Sequence, residues 1–391
     1  MDVGILFDLA ILIFAAKALG LLARRIGAPQ VVGEILAGLL VGPSILKLVQ
    51  ANDSIEVFAE IGVILLMFAA GLGTDLKQLK RSGFKAFLVA LIGVIVPLIG
   101  TFALYGIFYG FAAPPAKEFY TALFMGTIVT ATSVSITVAA LAEMGKLSTD
   151  VGTTIVSAAV IDDVIGIIVL TCVIGGCGGE GNVGMVLVKI VLFFLIALVV
   201  GLGIHKVMEW LDARHPHTQR IPIYSLAFCL AMAYVAQKYF DIADITGAYC
   251  AGIALCTIKD TEYVEKKIDI SSYMLFGPIF FACIGLKTDL SGLTMSILGF
   301  SICFIIMALV TKVVGCGLAA KICGYNLGDS LKIGAGMMTR GEVALIVAQK
   351  GLSAGVLEST YFPAVILLII ISSVITPIVL KLLFSEKKKA A

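Results

Sequence analysis

The chain has 391 residues, of which 60% are hydrophobic and only 14% are charged. Its mean hydropathy is +1.08. A soluble protein of this length could not bury that much apolar surface, so the composition excludes a soluble fold and predicts a polytopic membrane protein. The formal net charge of +2 says little about partners, although the distribution of the charges is informative.

Thirteen apolar segments follow one another, separated by short breaks that contain glycine, proline or charge. The breaks include RRIGAP, LKQLKRSG, EMGKLS, DARHPHTQR, KDTEYVEKK and CGYNLGDS. Because loops this short force neighbouring helices to run antiparallel, the pattern predicts thirteen transmembrane helices. The approximate spans are 4–23, 29–48, 55–73, 84–110, 118–144, 149–174, 183–209, 220–239, 243–259, 272–287, 294–320, 329–349 and 359–384.

Lysine and arginine are concentrated in the breaks that follow odd-numbered segments. Examples are Arg24, Arg25, Lys77, Lys80, Arg81, Lys146, Lys206, Arg214, Lys259 and Lys266. The breaks after even-numbered segments hold mainly Lys47, Lys117, Lys287 and Lys350. Since positive charge favours the cytoplasmic side, this bias predicts an outside N-terminus and a cytoplasmic C-terminus.

Two motifs recur along the chain at one constant offset. VVGEILAGLL, which begins at Val31, matches ITGAYCAGIA, and GLGTDL, which begins at Gly71, matches GLKTDL. Both pairs are offset by 214 positions, from 31 to 245 and from 71 to 285. The offset relates segments 1–6 to segments 8–13 and leaves segment 7 as a linker. Paired segments are an odd number apart, so we expect two inverted repeats, an architecture of many secondary transporters.

Two adjacent carboxylates, Asp162 and Asp163, lie in the middle of the apolar stretch Thr153–Thr171. A charge at that depth costs at least about 2.5 kcal/mol on insertion scales. An intramembrane carboxylate of this kind indicates an ion or proton site with a nearby partner.

Segments 5 and 12, which correspond in the two repeats, both contain features of an interrupted helix. Segment 5 holds clustered hydroxyls at Thr130, Thr132, Ser133, Ser135 and Thr137. Segment 12 holds glycines and two charges, at Gly334, Gly336, Arg340, Gly341 and Glu342. Broken helices at corresponding positions indicate a transport site, where freed carbonyls and hydroxyls supply ligands for a small cation. The alternative for the hydroxyls is bonding to the preceding turn or to neighbouring helices.

Segment 11 carries one charge in its apolar middle, Lys312, which must either lose its proton or find a carboxylate. Adjacent helical residues point about 100° apart. One aspartate can therefore face Lys312 while the other faces an aqueous cavity. This arrangement predicts that a proton and a cation compete for the same oxygens, and the alternative is a static salt bridge.

Several other ionisable residues have less definite roles. We expect a structural role for Arg340, whereas for Glu342 the sequence leaves ligand and structural roles open. His205, His215 and His217 lie near Trp210, where we predict a solvated linker, with a pH sensor as the alternative.

The motifs AAVIDDVIGIIVL, TATS, LVTKVVG and TRGEVALIVAQKG together resemble the second cation:proton antiporter family and are most similar to its NapA-like, double-aspartate members. The resemblance implies a homodimer of thirteen-helix protomers, with discontinuous segments 5 and 12 crossing near the midplane. It also implies a core domain that moves against a dimerisation domain. The dimerisation domain would comprise residues 1–80 and 213–290, the core 81–175 and 291–391, and the linker helix 176–212.

The same resemblance implies roles for single residues. Asp163 would be the main carboxylate for cation and proton, and Asp162 would be the partner of Lys312. Further candidates for the cation site are Thr132, Ser133 and Glu342. The role of Arg340 does not follow from the resemblance: as a base within an apolar segment it is expected to bond a carboxylate or helix C-termini, and it is a further candidate charge partner.

The sequence therefore predicts a monovalent cation/proton antiporter of the cell membrane that exchanges sodium or lithium for protons by alternating access. We expect no enzymatic activity, no resident cofactor and no nucleic-acid partner. Potassium/proton exchange and a cation channel remain alternatives. An intramembrane aspartyl protease also uses two aspartates, but its pair comes from two helices, whereas Asp162 and Asp163 are adjacent on one helix and point apart. Only seven residues follow Phe384, so we expect no nucleotide-binding domain there.

Overall fold

The computed structural model describes residues 4–114, 116–176, 183–214, 218, 220–287, 295–353 and 355–385, apart from the side chains of residues 78, 79, 183, 212, 213, 295, 296, 342, 349 and 353. Regular secondary structure in this part of the chain is entirely helical. The α-helices are α1 (Gly4–Arg25), α2 (Gln30–Val41), α3 (Asp53–Leu72), α4 (Leu76–Tyr109), α5 (Lys117–Thr130), α6 (Val134–Glu143), α7 (Asp150–Gly176), α8 (Val183–Arg214), α9 (Arg220–Phe240), α10 (Asp244–Leu255), α11 (Thr261–Ser271), α12 (Gly277–Leu286), α13 (Met295–Ile322), α14 (Leu327–Gly336), α15 (Glu342–Ser353) and α16 (Phe362–Ser385). A π-helical turn, Ser272–Phe276, joins α11 to α12, and a 3₁₀ turn, Ser359–Tyr361, leads into α16.

Ten stretches of the described chain are long and apolar enough to cross a membrane. Two of them combine consecutive helices, namely α5 with α6 and α11 with α12. Three shorter apolar helices accompany them, at Gln30–Val41, Asp244–Leu255 and Val343–Leu352. The all-helical membrane architecture predicted from the composition is therefore present.

Two of the breaks predicted between apolar segments are largely helical in the structure. Helix α4 begins at Leu76, so LKQLKRSG forms its first turns, and α11 begins at Thr261, inside KDTEYVEKK. Leucine, lysine, glutamine and glutamate are good helix formers, so these charges do not end the helices. Segment 2 is shorter than predicted, because α2 ends at Val41 before Gly42 and Pro43. The following turn is held by Lys47 N–H, which donates to Gly42 O at 2.8 Å.

The helices pack in two groups. Helices α1, α2, α3, α9, α10 and α12 pack against one another, and α8 lies against α9 and α10. In the second group, α4 packs along α5, α7 and α13, while α14 and α16 pack against α13.

Two close backbone contacts in the first group use glycine. Gly38 of α2 meets the backbone of α12 so closely that a Cβ atom would overlap Ala282 O, and Gly252 of α10 meets α3 in the same way at Phe68 O. The facing helices also use glycine at these contacts: a Cβ atom at Gly285 of α12 would overlap backbone of α2, and one at Gly71 of α3 would overlap backbone of α10. Only glycine allows helices to approach this closely, so these positions fix the packing of α2 on α12 and of α10 on α3.

Two helical stretches in the second group are interrupted. Helix α5 ends at Thr130 and α6 begins at Val134, with extended backbone at Ala131 and Ser133 between them. Helix α14 ends at Gly336 and α15 begins at Glu342. The first interruption falls on the hydroxyl-rich TATS sequence and the second on the glycine-flanked sequence Met337–Gly341.

Candidate functional site

Helix α7 carries both aspartates at its centre. Asp162 is 1% exposed and Asp163 is 6% exposed. The helix is apolar around its circumference, as expected for a helix packed on several sides. It contacts α5, α6 and α14, so the two acids lie on a helix adjacent to both interruptions.

Lys312 of α13 joins Asp162 to the end of α5. Its Nζ lies 2.9 Å from Asp162 Oδ1, and both side chains are fully buried. The same Nζ donates to the carbonyl oxygen of Thr130 at 2.7 Å. Thr130 is the last residue of α5, where carbonyls lack helical partners and the helix dipole favours a cation. Lys312 therefore neutralises one carboxylate and also caps the C-terminus of the interrupted helix.

The two interruptions are hydrogen-bonded to each other. Ser133 N–H donates to Thr339 O at 2.8 Å, and Thr132 Oγ1 donates to Met337 O at 3.3 Å. Thr137 Oγ1 donates to Gly336 O at 2.8 Å. These bonds satisfy backbone groups that the interrupted helices leave open, which a low-dielectric environment requires.

The predicted alternative for the segment 5 hydroxyls, bonding to the preceding turn or to neighbouring helices, describes the contacts of Thr130, Thr132 and Thr137. Thr130 Oγ1 donates to the carbonyl of Thr127 in the preceding turn at 2.8 Å. The hydroxyls of Thr132 and Thr137 donate to backbone carbonyls at and just beyond the end of α14. Ser133 Oγ lies 3.2 Å from Ser135 Oγ.

Arg340 lies within the second interruption and is completely buried. Its Nη1 donates to the carbonyls of Met337 and Thr339, each at 3.1 Å. Arg340 thus binds carbonyls just beyond the end of α14, as Lys312 binds a carbonyl at the end of α5.

Two serines of α16 hold the backbone of Arg340. Its N–H donates to Ser372 Oγ at 2.9 Å, and its carbonyl accepts from Ser373 Oγ at 2.9 Å. Sequence reasoning did not single out these serines. Their signal is a pair of adjacent hydroxyls in an otherwise apolar helix, IIISSVI.

The remaining predicted residues are only partly described. The side chain of Glu342 lies outside the described residues, although its backbone begins α15. His215 and His217 also lie outside them. His205 is not in a solvated linker as predicted, because α8 continues to Arg214 and Nδ1 of His205 bonds Ala254 O at 2.9 Å.

A cavity of about 270 Å³ reaches the second interruption from the ends of α3, α10 and α12. Three carboxylates line it, those of Glu56, Glu60 and Asp244, together with Lys287, which lies 3.0 Å from Glu56. Its inner wall includes Gly341, which is in close contact with Ser133. The described lining residues do not include Asp163. Clustered carboxylates in a low-dielectric cleft raise the local concentration of cations.

The structure thus brings together two buried adjacent acids, a buried base and two interrupted helices that are hydrogen-bonded to each other. Residues 10–386 match the family model described as "Sodium/hydrogen exchanger, transmembrane". The chain therefore belongs to this family of membrane antiporters, which are transporters and not enzymes.

Relatives that match nearly the whole length of the chain are also named as antiporters. The chain is 36% identical over 392 residues to the Na(+)/H(+)-K(+) antiporter GerN of Bacillus cereus, covering 100% of this chain and 99% of that protein. It is 33% identical to a Na(+)/H(+) antiporter of Enterococcus hirae, covering 95% of this chain and 96% of that one. The fold matches an electron-microscopy structure of the sodium proton antiporter MjNhaP1 of Methanocaldococcus jannaschii, with a TM-score of 0.75 at 16% identity and 100% coverage of both chains.

These comparisons confirm the predicted cation:proton antiporter family and the prediction that the protein is not an enzyme. They exclude the intramembrane protease. The chain is a cation/proton antiporter of a membrane.

Proposed function

We propose that the chain exchanges sodium or lithium for protons, with the cation and the proton competing for Asp163. The observation that carries this proposal is the pairing of Lys312 with Asp162, 2.9 Å apart in a fully buried pair. Because Asp162 is paired with Lys312, Asp163 is the buried acid of α7 that we assign to the cation and the proton. Thr132, Ser133 and Glu342, on the adjacent interruptions, are the further candidates to coordinate the cation through oxygen. A small cation favours such hard oxygen ligands.

We infer thirteen membrane-crossing segments in two inverted repeats, with the interrupted pairs α5–α6 and α14–α15 as discontinuous crossings. Ten long and three short apolar helical stretches support the count. The glycine contacts support the repeats. At an offset of 214, Gly38 corresponds to Gly252 and Gly71 to Gly285, so the contact of α2 with α12 repeats as that of α10 with α3.

The domain assignment follows the same scheme. The scaffold would comprise 1–80 and 213–290, the moving core 81–175 and 291–391, and the linker helix 176–212. Helices α4, α7, α13, α14 and α16 pack more extensively among themselves than against the first group, which supports a distinct core. A homodimer built on the scaffold, with the N-terminus outside and the C-terminus cytoplasmic in the cell membrane, completes this proposal.

Alternating access is supported by different contacts at the two ends of the molecule. The acidic cavity opens beside Glu56 and Lys287, which the charge bias assigns to the outside. At the opposite end, Glu143 of α6 accepts from Gln30 N–H at 2.6 Å and lies 4.0 Å from Arg24. In this arrangement the outer side is open towards the second interruption while the core is held to the scaffold on the cytoplasmic side.

The decisive experiment is exchange in proteoliposomes with lithium, sodium and potassium in turn. We expect lithium- and sodium-driven proton flux in the wild type and none in Asp163→Asn. Where the carboxylate is mainly protonated, a tenfold rise in proton concentration should raise the apparent half-saturation constant of the cation about tenfold. Normal exchange in Asp163→Asn would refute the assignment.

Potassium/proton exchange is the second candidate, because the name of GerN includes potassium. A potassium-driven flux equal to that with sodium would favour it. Single-file conductance far above carrier turnover would favour a channel instead.

Electrogenic exchange would follow if the Asp162–Lys312 pair also releases one proton when the cation binds, so that, with the proton of Asp163, two protons move per cation. A potential of 100 mV then contributes about 2.3 kcal/mol per net charge. The rate should therefore respond to imposed potential in the wild type and lose that response in Lys312→Gln. An unchanged response would remove Lys312 from this step.

A further inference from the structure

An apolar groove lies between α8 and α10, away from the ion site. Its volume is about 450 Å³, and its walls include Phe194, Leu198 and Leu202 of α8 and Ile253 of α10. Leu198 is 60% exposed and Leu202 is 57% exposed, so these side chains face the surroundings of the protein. The groove therefore offers an open apolar surface of the kind that binds a hydrocarbon chain.

One end of this groove is cationic. Lys80, in the first turns of α4, and His205 of α8 both line it. His205 Nδ1 bonds the carbonyl of Ala254 at 2.9 Å. Because a carbonyl can only accept, Nδ1–H is the donor in this bond, and Nε2 is the ring nitrogen left for another partner. No carboxylate occurs among the described residues that line the groove.

The dimensions match one leaflet of a bilayer. From Phe194 to His205 the helix rises about 16 Å, at about 1.5 Å per residue. Half of a hydrocarbon core that is about 30 Å thick is about 15 Å. If Phe194 lies near the bilayer centre, His205 and Lys80 lie at the depth of the lipid headgroups. Lys80 follows segment 3 and His205 lies near the end of segment 7, and the charge bias assigns the ends of both odd-numbered segments to the cytoplasmic side.

We propose that this groove is a binding site for an anionic phospholipid, with an acyl chain along Phe194–Leu202 and the phosphate beside Lys80 and His205. The charge complementarity and the length of the groove both fit this occupant. The bound lipid would contact α4 as well as α8 and α10, and so would touch helices of both groups. The proposal does not depend on which cation the protein exchanges.

The test measures lipid binding to the purified full chain. Native mass spectrometry would report retention of phosphatidylglycerol against phosphatidylcholine, and thermal melting would report the stabilisation on adding each lipid. Lys80→Gln/His205→Gln removes the charge of Lys80 and the imidazole ring of His205 from the groove. Lys77→Gln/Lys206→Gln removes neighbouring charges that do not line it and serves as the matched control. Leu198→Trp fills the groove without changing charge.

We expect the wild type and the control to retain phosphatidylglycerol preferentially. The groove variant Lys80→Gln/His205→Gln should bind phosphatidylglycerol about tenfold more weakly, because basic residues near a membrane surface attract anionic lipids electrostatically. Leu198→Trp should also lose retention, and it tests the site separately should the charge variant fail to fold.

Three results would overturn the proposal: equal retention by the groove variant and the wild type, equal loss in the matched control, or full retention in Leu198→Trp. Equal stabilisation by inorganic phosphate alone would also overturn it, because the site would then recognise an anion without a chain. These readouts require no transport, so their failure would leave the sodium/proton proposal untouched.

Discussion

At the scale of single residues, two buried bases have similar structural tasks. Lys312 binds the carbonyl of Thr130 at the end of α5, and Arg340 binds those of Met337 and Thr339 just beyond the end of α14. A helix end in a low-dielectric interior needs such partners, because unpaired carbonyls there cost several kcal/mol each. Lys312 differs from Arg340 in also holding a direct ion pair, with Asp162.

Because Asp162 is the acid that pairs with Lys312, substitutions of the two neighbouring acids should affect the stability of the protein differently. Removing one partner of a buried ion pair costs about 3–5 kcal/mol, because the other charge is left uncompensated. Asp162→Asn and Lys312→Met should each lower the free energy of unfolding by about that amount, and the double variant should lose less than the sum. Asp163→Asn, which keeps the pair, is the matched control. Thermal melting in detergent measures all four proteins.

Two outcomes would contradict this expectation. Strictly additive losses in Asp162→Asn/Lys312→Met would mean that the pair is not coupled. A loss in Asp163→Asn as large as in Asp162→Asn would mean that the structural and transport tasks are not divided between the two acids.

At the scale of the elements, glycine contacts determine how closely the helices approach. Gly38 and Gly252 hold equivalent places in the proposed repeats, and each faces backbone rather than a flexible side chain. A backbone cannot give way as a side chain does, so the added methyl group must push the two helices apart.

Gly38→Ala and Gly252→Ala should therefore each destabilise the protein by about 1–3 kcal/mol or more. Gly203→Ala on α8 is the control, since a Cβ atom there meets nothing within 4 Å. That change should be neutral or stabilising by up to about 1 kcal/mol, because alanine is the better helix former. Melting temperatures compare the three, and equal shifts at all three positions would argue against close helix contact.

Some elements could be predicted from the sequence and others could not. A pair between Lys312 and one of the two aspartates follows from the sequence because each charge lies in an apolar segment and needs a partner. The choice of Asp162 came from the family resemblance, and the roles of both residues in transport remain predictions. The bond from Lys312 to Thr130 O could not be predicted, because it depends on where α5 ends in space. The early start of α4 at Leu76 was missed because charges mark the membrane surface, and helices continue past it.

At the scale of the whole molecule, the contacts of Glu143 with Arg24 and Gln30 join α6 to α1 and α2. They connect the proposed core to the proposed scaffold at the end opposite the acidic cavity. If the core must move for exchange, this contact has to open in every cycle.

Fixing this contact should stop exchange. In a background without the nine native cysteines, Arg24→Cys/Glu143→Cys joined by a short thiol cross-linker should lose exchange in proteoliposomes and recover it after cleavage of the linker. Glu262→Cys/Lys266→Cys, one turn apart within α11, is the control and should stay active. Full activity of the cross-linked Arg24→Cys/Glu143→Cys protein would show that these helices do not separate during exchange.

The most direct test of competition at Asp163 is the number of protons released when a cation binds. Calorimetric titration of the purified protein with sodium, in two buffers of different ionisation enthalpy, gives this number without any need for transport. We predict that sodium displaces protons from the wild type, and that Asp163→Asn neither binds sodium measurably nor releases protons. Sodium binding with undiminished proton release in Asp163→Asn would contradict the account.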